Sequence, residues 1–330
     1  MAKKRVAING FGRIGRLTFR NLWEMDDVEV VAINDLTQNS TLAHLLKFDS
    51  AHGRFQHDIS ATDDHIIIDG IKVAASSERD PAKLPWADMK VDTVIEATGV
   101  FRTADQAKLH IQAGAKKVVI SAPGKGDGIT TVVLGVNTDA ASDDSTVFSN
   151  ASCTTNCLAP VVKVLDKAFG IDKGSLTTTH AYTSDQNIQD APHSDLRRAR
   201  AAAYNIIPTS TGAATAVGKV YPPIKDKLFA IAIRVPVITG SMIELNVITN
   251  KNTTIEEINS TFKEASESHL KGILEYSTDP LVSSDIVGNK HSCIFDSEMT
   301  NVLGNLVKVV AWYDNEAGYS ARLADLVAQY

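Results

Sequence analysis

The chain has little cysteine, no excess of basic residues and no long uninterrupted apolar segment. Only three of its 330 residues are cysteine, and we expect no disulfide framework, since such frameworks belong to cysteine-rich secreted chains. A net charge of −6 and a pI near 5.8 argue against nucleic acid or an anionic membrane as the main partner. No run reaches 18 apolar residues, so we expect no membrane span.

The N-terminal stretch and the cysteine pattern predict a cytoplasmic protein without a metal. In MAKKRVAINGFG the apolar segment is only three residues long and is soon followed by glycines, which is typical of a strand and not of a signal peptide. Cys153 and Cys157 are four residues apart, but no further cysteine or histidine lies near them in the sequence to complete a zinc site. A reactive thiol is the interpretation that remains.

The first half of the chain alternates β-branched runs with helical patterns. The strand-like runs are residues 4–8, 28–35, 91–99 and 116–124, and the helical patterns are 16–25 and 103–115. Near-continuous apolar strands interleaved with helices predict a parallel sheet covered on both faces. Asp69 and Gly70 lie between two further runs and predict a hairpin with a type I′ turn.

The second half has a different pattern, in which strands predominate. After a helix-like stretch at 153–169, the strand candidates are residues 174–183, 228–237, 242–249 and 306–314. A helix between them begins with Thr254 and Glu257 in capping-box spacing. These elements predict a mixed or antiparallel sheet with helices on one face. Residues 319–330 form an amphipathic helical pattern at the end.

A glycine motif gives the first half a candidate ligand. INGFGRIGR places Gly10, Gly12 and Gly15 in G-x-G-x-x-G spacing between a strand and a helix, the context in which the motif binds a dinucleotide. Gly10 permits the tight turn, Gly12 lets the backbone approach a pyrophosphate, and Gly15 lets helix and strand pack closely. A glycine-rich turn without a ligand is the alternative.

The residues around this motif favour NAD as the ligand. Arg13 and Ile14 bring their N–H groups to the helix N-terminus, where an anion is stabilised. Asp35 lies at the end of the next strand, 20 residues past Gly15. Its carboxylate accepts hydrogen bonds from a ribose 2′-hydroxyl and repels a 2′-phosphate, so NAD is favoured over NADP.

The fold class is therefore α/β. We predict a Rossmann-type dinucleotide-binding domain plus an α+β catalytic domain with a mixed or antiparallel sheet. The predicted ranges are 1–151, to which a C-terminal helix at about 315–330 returns, and 152–314.

The stretch SCTTNCLAP suggests one nucleophile and one core residue. If a helix begins at Ser152, Cys153 lies in its first turn, where the helix dipole and N–H groups stabilise a thiolate. Cys157 then lies one turn further on and is a small core residue. A cysteine nucleophile also needs a base. Among nine histidines His180 is preferred, because it ends a strand in the same half, although the pattern alone does not prove it.

Five stretches together resemble the glyceraldehyde-3-phosphate dehydrogenase family. They are NGFGRIGR, SNASCTTNCLAP, HAYTSDQ, RRARAAAYNIIPTSTGAA and WYDNEAGYS. The match extends from residue 4 to the last residue, and SCTTNC is the most specific part. The resemblance implies a phosphorylating, NAD-dependent enzyme of glycolysis that forms a homotetramer and acts on glyceraldehyde 3-phosphate and inorganic phosphate.

The resemblance also implies roles for individual residues. Cys153 matches the family's nucleophile and His180 its base. The pocket for attacking phosphate is matched by Ser152, Thr154, Thr211 and Gly212. Thr183 and Arg234 match the pocket for the substrate's own phosphate, and Arg198 lies in an anion-binding stretch. The cluster of Arg197, Arg198 and Arg200 alone would equally suit a solvated or subunit-facing role. Asn315 matches the residue that holds the nicotinamide carboxamide, and Arg79 and Ser121 match further cofactor contacts.

The implied mechanism has two stages. A Cys153 thiolate paired with protonated His180 attacks the aldehyde, and His180 then takes the hydroxyl proton of the hemithioacetal as hydride leaves, which gives a thioester. Phosphate discharges the thioester as 1,3-bisphosphoglycerate. Two alternatives stay open from the sequence: an erythrose-4-phosphate dehydrogenase, which needs no phosphate acceptor, and a non-catalytic NAD-binding or surface-adhesion role.

Overall fold

The protein is described by a computed structural model that covers residues 2–142 and 144–330. It divides into two compact units. The first comprises Met1–Val132, Asp139–Ala151 and Ser320–Tyr330, and the second comprises Val133–Thr138 and Ser152–Tyr319. The sequence predicts a dinucleotide-binding domain at 1–151 with 315–330 and a catalytic domain at 152–314. These ranges and their functions stay a prediction.

In the described part of the chain, the first unit is built on one nine-stranded sheet with helices. Its strands are β1 (Lys4–Asn9), β2 (Val28–Asn34), β3 (Ile59–Ala61), β4 (His65–Ile68), β5 (Ile71–Ser76), β6 (Thr93–Glu96), β7 (Lys117–Ile120), β8 (Thr130–Thr131) and β9 (Val147–Ser149). Its helices are α1 (Arg13–Trp23), α2 (Asn39–Lys47) and α3 (Ala104–Gln112), with 3₁₀ turns at Pro81–Lys83 and Thr138–Ala140.

The sheet is parallel except at one edge, as its sequence pattern predicts. The strand order is β3-β4-β5-β2-β1-β6-β7-β9-β8, and every pair from β5 to β8 is parallel. The hairpin β4–β5 is antiparallel. Asp69 and Gly70 at its turn both have positive φ, 50° and 81°, which is the type I′ geometry predicted from the dipeptide.

Three polar residues end neighbouring strands of this sheet in register. Asn9 of β1 pairs with Asn34 of β2 on one side and with Glu96 of β6 on the other. Below them the strands bury small and branched side chains, and Trp86 packs fully buried in the same core. Since open parallel sheets bind ligands outside the carboxyl ends of their strands, this edge is the expected position of a site.

The second unit contains a seven-stranded mixed sheet within the described residues. Its strands are β10 (Ile171–Ala181), β11 (Ile207–Thr209), β12 (Leu228–Val235), β13 (Ser241–Thr249), β14 (Leu274–Ser277), β15 (Cys293–Leu303) and β16 (Leu306–Tyr313). Its helices are α4 (Cys153–Phe169), α5 (Ala213–Val220) and α6 (Ile255–Glu267), with a 3₁₀ turn at Pro222–Ile224. Helix α7 (Ala317–Gln329) follows, and its residues from Ser320 onward belong to the first unit.

Antiparallel pairs predominate in this sheet, whose order is β11-β12-β10-β13-β16-β15-β14. Only β10–β12 and β14–β15 are parallel among the described strands. Helix α4 contacts β10, β13, β15 and β16, and α6 contacts β14 and β15. The predicted capping box of α6 is present, because Thr254 and Glu257 exchange hydrogen bonds between side chain and backbone. The predicted fold class is therefore confirmed.

Four elements of this unit were not expected from the sequence. Strand β15 is 11 residues long, but two acidic side chains near its middle, Asp296 and Glu298, interrupt any alternation. Asp296 is nevertheless 2% exposed and accepts a hydrogen bond from the indole of Trp312. Strands β11 and β14 are three and four residues long, and α5 has eight residues. These lengths are too short for a periodic signal.

Candidate active site

Helix α4 carries the thiol at its first position. Ser152 is its N-cap, and the hydroxyl of Ser152 accepts a hydrogen bond from the backbone N–H of Thr155 at 3.1 Å. Cys153 is therefore the first helical residue, as predicted. Cys157 lies one turn further along and is completely buried, as expected of a core residue. Neither cysteine forms a disulfide.

His180 lies beside this thiol. It occupies the penultimate position of β10, and its Nε2 is 3.5 Å from the Sγ of Cys153. Its Nδ1 is 2.6 Å from the carbonyl oxygen of Ala181. Nη1 of Arg234 also lies 3.0 Å from Nδ1, but the contact with the carbonyl, which only accepts, is the shorter one. This contact places the hydrogen on Nδ1, so the lone pair of Nε2 faces the sulfur. The geometry therefore suits transfer of the thiol proton to Nε2.

Burial governs the protonation of both groups. It raises the pKa of the Cys153 thiol, and the Arg234 guanidinium and hydrogen bonds from Thr154 oppose this only in part. Burial and the charge of Arg234 lower the pKa of His180 to about 3. The lowered thiol pKa expected from the helix start is thus wrong for this chain, because desolvation outweighs the helix N-terminus. A neutral thiol faces a neutral imidazole.

Arg234 brings one predicted anion pocket next to this pair. Its Nη1 donates to the carbonyl of Ala181 at 3.1 Å and to the hydroxyl of Thr183 at 3.4 Å, and it lies 3.0 Å from Nδ1 of His180. Its Nε is buried and has no hydrogen-bond partner. A guanidinium held in this way, with a hydroxyl beside it, is suited to a phosphate.

Arg198 is bound within its own loop. Its Nη1 forms an ion pair with Asp185 at 2.6 Å, its Nε donates to Thr209 at 3.0 Å, and its Nη2 donates to the carbonyl of Ser210 at 3.2 Å. The guanidinium thus contacts Ser210, the residue that precedes Thr211 in the chain. Asp185 and Thr209 were not among the predicted site residues, although Asp185 lies in the quoted motif HAYTSDQ.

The four residues predicted for the attacking phosphate differ in their surroundings and in their exposure to solvent. Thr211 accepts a hydrogen bond from the N–H of Ala213 at 3.3 Å, and Gly212 is the N-cap of α5. The hydroxyl of Thr154 instead lies 2.9 Å from the hydroxyl of Tyr313, and Thr154 is 6% exposed. The side chain of Thr154 therefore faces the interior, whereas Ser152 is half-buried.

Tyr313 is a further residue of this site that the sequence did not reveal. Its buried hydroxyl lies 2.9 Å from that of Thr154 on α4 and 2.9 Å from that of Thr178 on β10. Its ring stands edge-on to His180, with centroids 5.9 Å apart. One phenol thus joins the helix that carries the thiol to the strand that carries the imidazole.

The glycine motif lines a cleft in the first unit. The cleft has a volume of about 460 Å³, and Gly10, Gly12, Asp35 and Arg79 are among its lining residues. Gly10 has φ of 93°, and a Cβ at Gly15 would lie 2.2 Å from the carbonyl oxygen of Gly10. A Cβ at Gly12 would meet no atom within 4 Å. The turn predicted at Gly10 and the close contact predicted at Gly15 are thus present, and the space beside Gly12 leaves room for the approach predicted there.

The rest of the cleft fits an NAD molecule. Gly12 caps α1 without a side chain, so nothing blocks the approach of an anion to the helix start at Arg13 and Ile14. The guanidinium of Arg13 pairs with Asp49 at 3.0 Å. Asp35 accepts hydrogen bonds from the N–H groups of Phe11 at 2.8 Å and Thr37 at 2.9 Å, which fix its carboxylate in the cleft lining.

Ser121 and Asn315, like Arg13, Ile14 and Gly15, are not among the residues that line this cleft. Ser121 follows β7 directly, and its N–H donates to the carbonyl of Glu96 at 2.9 Å. Asn315 belongs to the second unit and is 4% exposed. Its side-chain carbonyl accepts a hydrogen bond from Ser241 at 2.8 Å. Because this bond occupies the side-chain carbonyl, the NH₂ group of Asn315 is the end of the amide that can donate to another acceptor.

Two features are absent from the residues that the structure describes. None of their helices has the length and apolar character needed to cross a membrane. Among the same residues, no three or more side chains of His, Cys, Asp or Glu are grouped as metal ligands.

Both halves of the chain match one protein family. Residues 4–104 match "Glyceraldehyde 3-phosphate dehydrogenase, NAD binding domain", and residues 152–315 match the C-terminal domain of the same family. Glyceraldehyde-3-phosphate dehydrogenases of Mycobacterium avium and Mycobacterium tuberculosis are each 58% identical, with 98% of this chain and 97% of the relative covered. That of Thermotoga maritima is 58% identical, with 97% of each chain covered.

Proposed function

Because this chain belongs to the glyceraldehyde-3-phosphate dehydrogenase family, we propose that Cys153 is its nucleophile and His180 its general base. The chain is an NAD-dependent oxidoreductase of glycolysis. The reaction oxidises glyceraldehyde 3-phosphate and adds inorganic phosphate, which gives 1,3-bisphosphoglycerate. The relatives named above do not favour an erythrose-4-phosphate dehydrogenase.

The first step is attack on the aldehyde. The 3.5 Å contact between Sγ and Nε2 lets His180 accept the thiol proton while sulfur bonds to the carbonyl carbon, and the product is a hemithioacetal. The resting pair is neutral, so the thiolate forms during attack. The backbone N–H of Cys153 at the start of α4 and the imidazolium are the donors proposed for the developing oxyanion.

The second step is oxidation of the hemithioacetal. NAD, when bound, supplies the acceptor for the hydride. The imidazolium first returns its proton to the hemithioacetal oxyanion, which makes the hydroxyl group, and the low pKa of His180, about 3, favours this release. The neutral His180 can then take the hydroxyl proton as hydride leaves. The carbonyl that re-forms belongs to a thioester on Cys153. We assign the nicotinamide carboxamide to Asn315, whose amide is held by Ser241.

Two anion pockets divide the phosphate groups between them. Arg234 and Thr183, 3.4 Å apart, bind the phosphate of the substrate and so anchor the end remote from the aldehyde. Ser152, Thr211 and Gly212 receive the inorganic phosphate that attacks the thioester. Arg198, held directly before Thr211, supplies positive charge to that pocket. Thr154 contributes through the hydrogen bond that lowers the pKa of Cys153.

Cofactor binding is assigned to the first unit. Gly10, Gly12 and Gly15 give the turn on which the pyrophosphate rests, at the N–H groups of Arg13 and Ile14. The carboxylate of Asp35 accepts a hydrogen bond from the 2′-hydroxyl of the adenosine ribose. Arg79 and Ser121 are further contacts that the resemblance implies. We propose that 1–151 with 315–330 acts as the NAD-binding domain and 152–314 as the catalytic domain.

We also propose that the chain works as a cytoplasmic homotetramer. Glycolysis and three cysteines without a disulfide support that compartment. Self-association is supported by exposed apolar side chains in the second unit, among them Phe229, which is 73% exposed, and Tyr204, which is 86% exposed. Apolar groups at such exposure are typical of interfaces.

The observation that carries the proposal is the geometry of Cys153 and His180. Stopped-flow NADH absorbance with glyceraldehyde 3-phosphate tests it. Without phosphate we expect a burst of about one NADH per active site and then a stall, because the thioester is not discharged. Added phosphate restores steady turnover.

Two cysteine variants provide matched controls for this burst. Cys153→Ala removes it entirely, whereas Cys157→Ser retains it and loses about 1–3 kcal/mol of stability, because a hydroxyl replaces a buried sulfur. Steady turnover at full rate in phosphate-free buffer, with the free acid as product, would show that the enzyme does not phosphorylate.

A further inference from the structure

A buried hydrogen-bonded chain lies beneath the cofactor cleft, and none of the roles given above uses it. Glu96 is the last residue of β6 and is 1% exposed. Behind it lie His110 of α3 and Trp86, both fully buried. In front of it lie Asn9 and Thr98, which line the cleft. A carboxylate this deeply buried needs a full set of donors.

Glu96 has that set. Its Oε1 accepts hydrogen bonds from the backbone N–H of Thr98 at 2.9 Å and from the hydroxyl of Thr98. Its Oε2 accepts from Nδ2 of Asn9 at 2.6 Å and from Nε2 of His110 at 3.0 Å. Four donors match the four lone-pair positions of an ionised carboxylate. If an amide replaced the carboxylate, its NH₂ group would face other donors in place of acceptors.

Trp86 determines which tautomer His110 adopts. Its Nε1 lies 3.0 Å from Nδ1 of His110, and an indole nitrogen can only donate. Nδ1 is therefore the acceptor, and the hydrogen of the imidazole stands on Nε2, directed at Glu96. The donor that His110 offers to the carboxylate thus depends on a side chain that does not line the cleft.

The other end of the chain sets the width of the cleft. A Cβ on Gly10 would lie 2.6 Å from the backbone nitrogen of Thr98, so the glycine turn and the segment after β6 are in close contact. Glu96 holds that same N–H, and it also holds Asn9, the residue before Gly10. Asn9 in turn accepts a hydrogen bond from Asn34 at 2.7 Å, which extends the chain to the third strand end.

We propose that Glu96 is a positioning residue for NAD, which keeps the Gly10 turn and the Thr98 segment at the spacing that the cofactor requires. His110 and Trp86 keep its donors in place. The proposal rests on the assignment of this cleft to NAD. It predicts that loss of the carboxylate weakens cofactor binding, although the lost charge is negative and the pyrophosphate is also negative.

The sign of this effect separates positioning from simple electrostatics. Glu96→Gln keeps the shape and removes the charge. Titration calorimetry of the full-length protein, freed of cofactor, should show an NAD Kd about tenfold higher or more. The KM for NAD rises in parallel, while kcat at saturating NAD and the KM for glyceraldehyde 3-phosphate stay within about twofold.

Glu78→Gln is the matched control. Glu78 lines the same cleft, but its side chain accepts a hydrogen bond from the N–H of Asp80 and takes no part in the chain described here. Removal of its charge should leave the affinity for NAD unchanged or increase it. If Glu96→Gln behaves in the same way, charge alone matters and the positioning role is wrong.

Trp86→Phe tests the proposal from the other end, and it decides the matter if Glu96→Gln does not fold. The indole N–H is lost, His110 is free to change tautomer, and the NAD Kd should rise about two- to threefold. An unchanged Kd in a folded Trp86→Phe protein would overturn the proposal. So would a Glu96→Gln enzyme whose kcat and substrate KM deteriorate as much as its NAD affinity. A wild-type protein that fails to bind NAD would instead overturn the cofactor assignment.

Discussion

Cys153 and His180 lie 3.5 Å apart, and burial keeps both of them neutral. Each charge alone is disfavoured in this site, because desolvation raises the pKa of the thiol and lowers that of the imidazole to about 3. Transfer of one proton from Sγ to Nε2 creates two opposite charges in contact, and their attraction offsets part of that cost. The pair can therefore react although neither member is charged at rest.

The alkylation rate of Cys153 should report this arrangement. The raised thiol pKa means that free thiolate becomes scarcer as the pH falls. His180, with its pKa of about 3, stays neutral from about pH 5 upward and can accept the thiol proton throughout. We expect the rate with iodoacetamide in the wild-type protein to change little between about pH 6 and 8.

His180→Asn removes the base and leaves the half-buried thiol of Cys153 without a proton acceptor. Its alkylation rate should fall by about tenfold for each pH unit below the thiol pKa. Mass spectrometry of the alkylated peptide identifies the site. Parallel profiles for the two proteins would mean that His180 does not take the proton of Cys153.

Helix α4 and strand β10 carry the two reacting groups, and Tyr313 of β16 joins them. Its hydroxyl is shared between Thr154 and Thr178, at 2.9 Å each. Thr178 has a second partner, the carbonyl of Met242 at 3.1 Å. The loss of the phenol hydroxyl would therefore affect Thr154 more than Thr178. The phenol hydroxyl therefore contributes a polar link between helix and strand, beside the packing of α4 on the sheet.

Tyr313→Phe should weaken both the unit and the reaction. We expect the free energy of unfolding in urea to fall by about 1–3 kcal/mol, because a buried hydroxyl loses its partner, and kcat to fall as the Sγ to Nε2 distance becomes less well fixed. Tyr221→Phe is the control. The hydroxyl of Tyr221 donates a hydrogen bond of 2.9 Å to Asp166 and forms no hydrogen bond with Thr154 or Thr178. We therefore expect kcat to be retained. Equal kcat values in both variants would contradict the bridging role.

The elements that sequence patterns predicted are those with a local cause. Cys153 is placed by the N-cap at Ser152, Gly10 by a turn that needs positive φ, and Asp69 with Gly70 by the hairpin. Each of these is decided within a few residues. Tyr313 was missed because its partners lie 135 and 159 residues away in the sequence. Glu96 was missed because Asn9 and His110 lie 87 and 14 residues away, although Thr98 is only two residues further on. Only the tertiary fold brings these distant partners together. The pKa of Cys153 was misjudged for the same reason, since burial is not a local property.

At the scale of the whole molecule, one face of the sheet in the second unit exposes several apolar side chains to solvent. Phe229 and Ile231 alternate on β12 and are 73% and 42% exposed, and Leu303 and Leu306 at the end of the β15–β16 pair are 78% and 41% exposed. Alternation places Phe229 and Ile231 on one face, and both side chains stay exposed although helix α5 contacts β12. A face of this kind suits a second copy of the chain.

The homotetramer proposed above can be tested at this face. Light scattering at micromolar concentration should give four times the mass of the 35.5 kDa chain. Phe229→Glu places a charge in the middle of the proposed contact, and burial of an unpaired charge is costly, so this variant should give smaller species. Ile71→Glu changes a side chain that is 59% exposed at the β4–β5 hairpin of the first unit, and its mass should match that of the wild type. A wild-type monomer would contradict the tetramer. A tetrameric Phe229→Glu protein would place the subunit contact on a different surface, for which the exposed side chains of residues 188–206 are the next candidates.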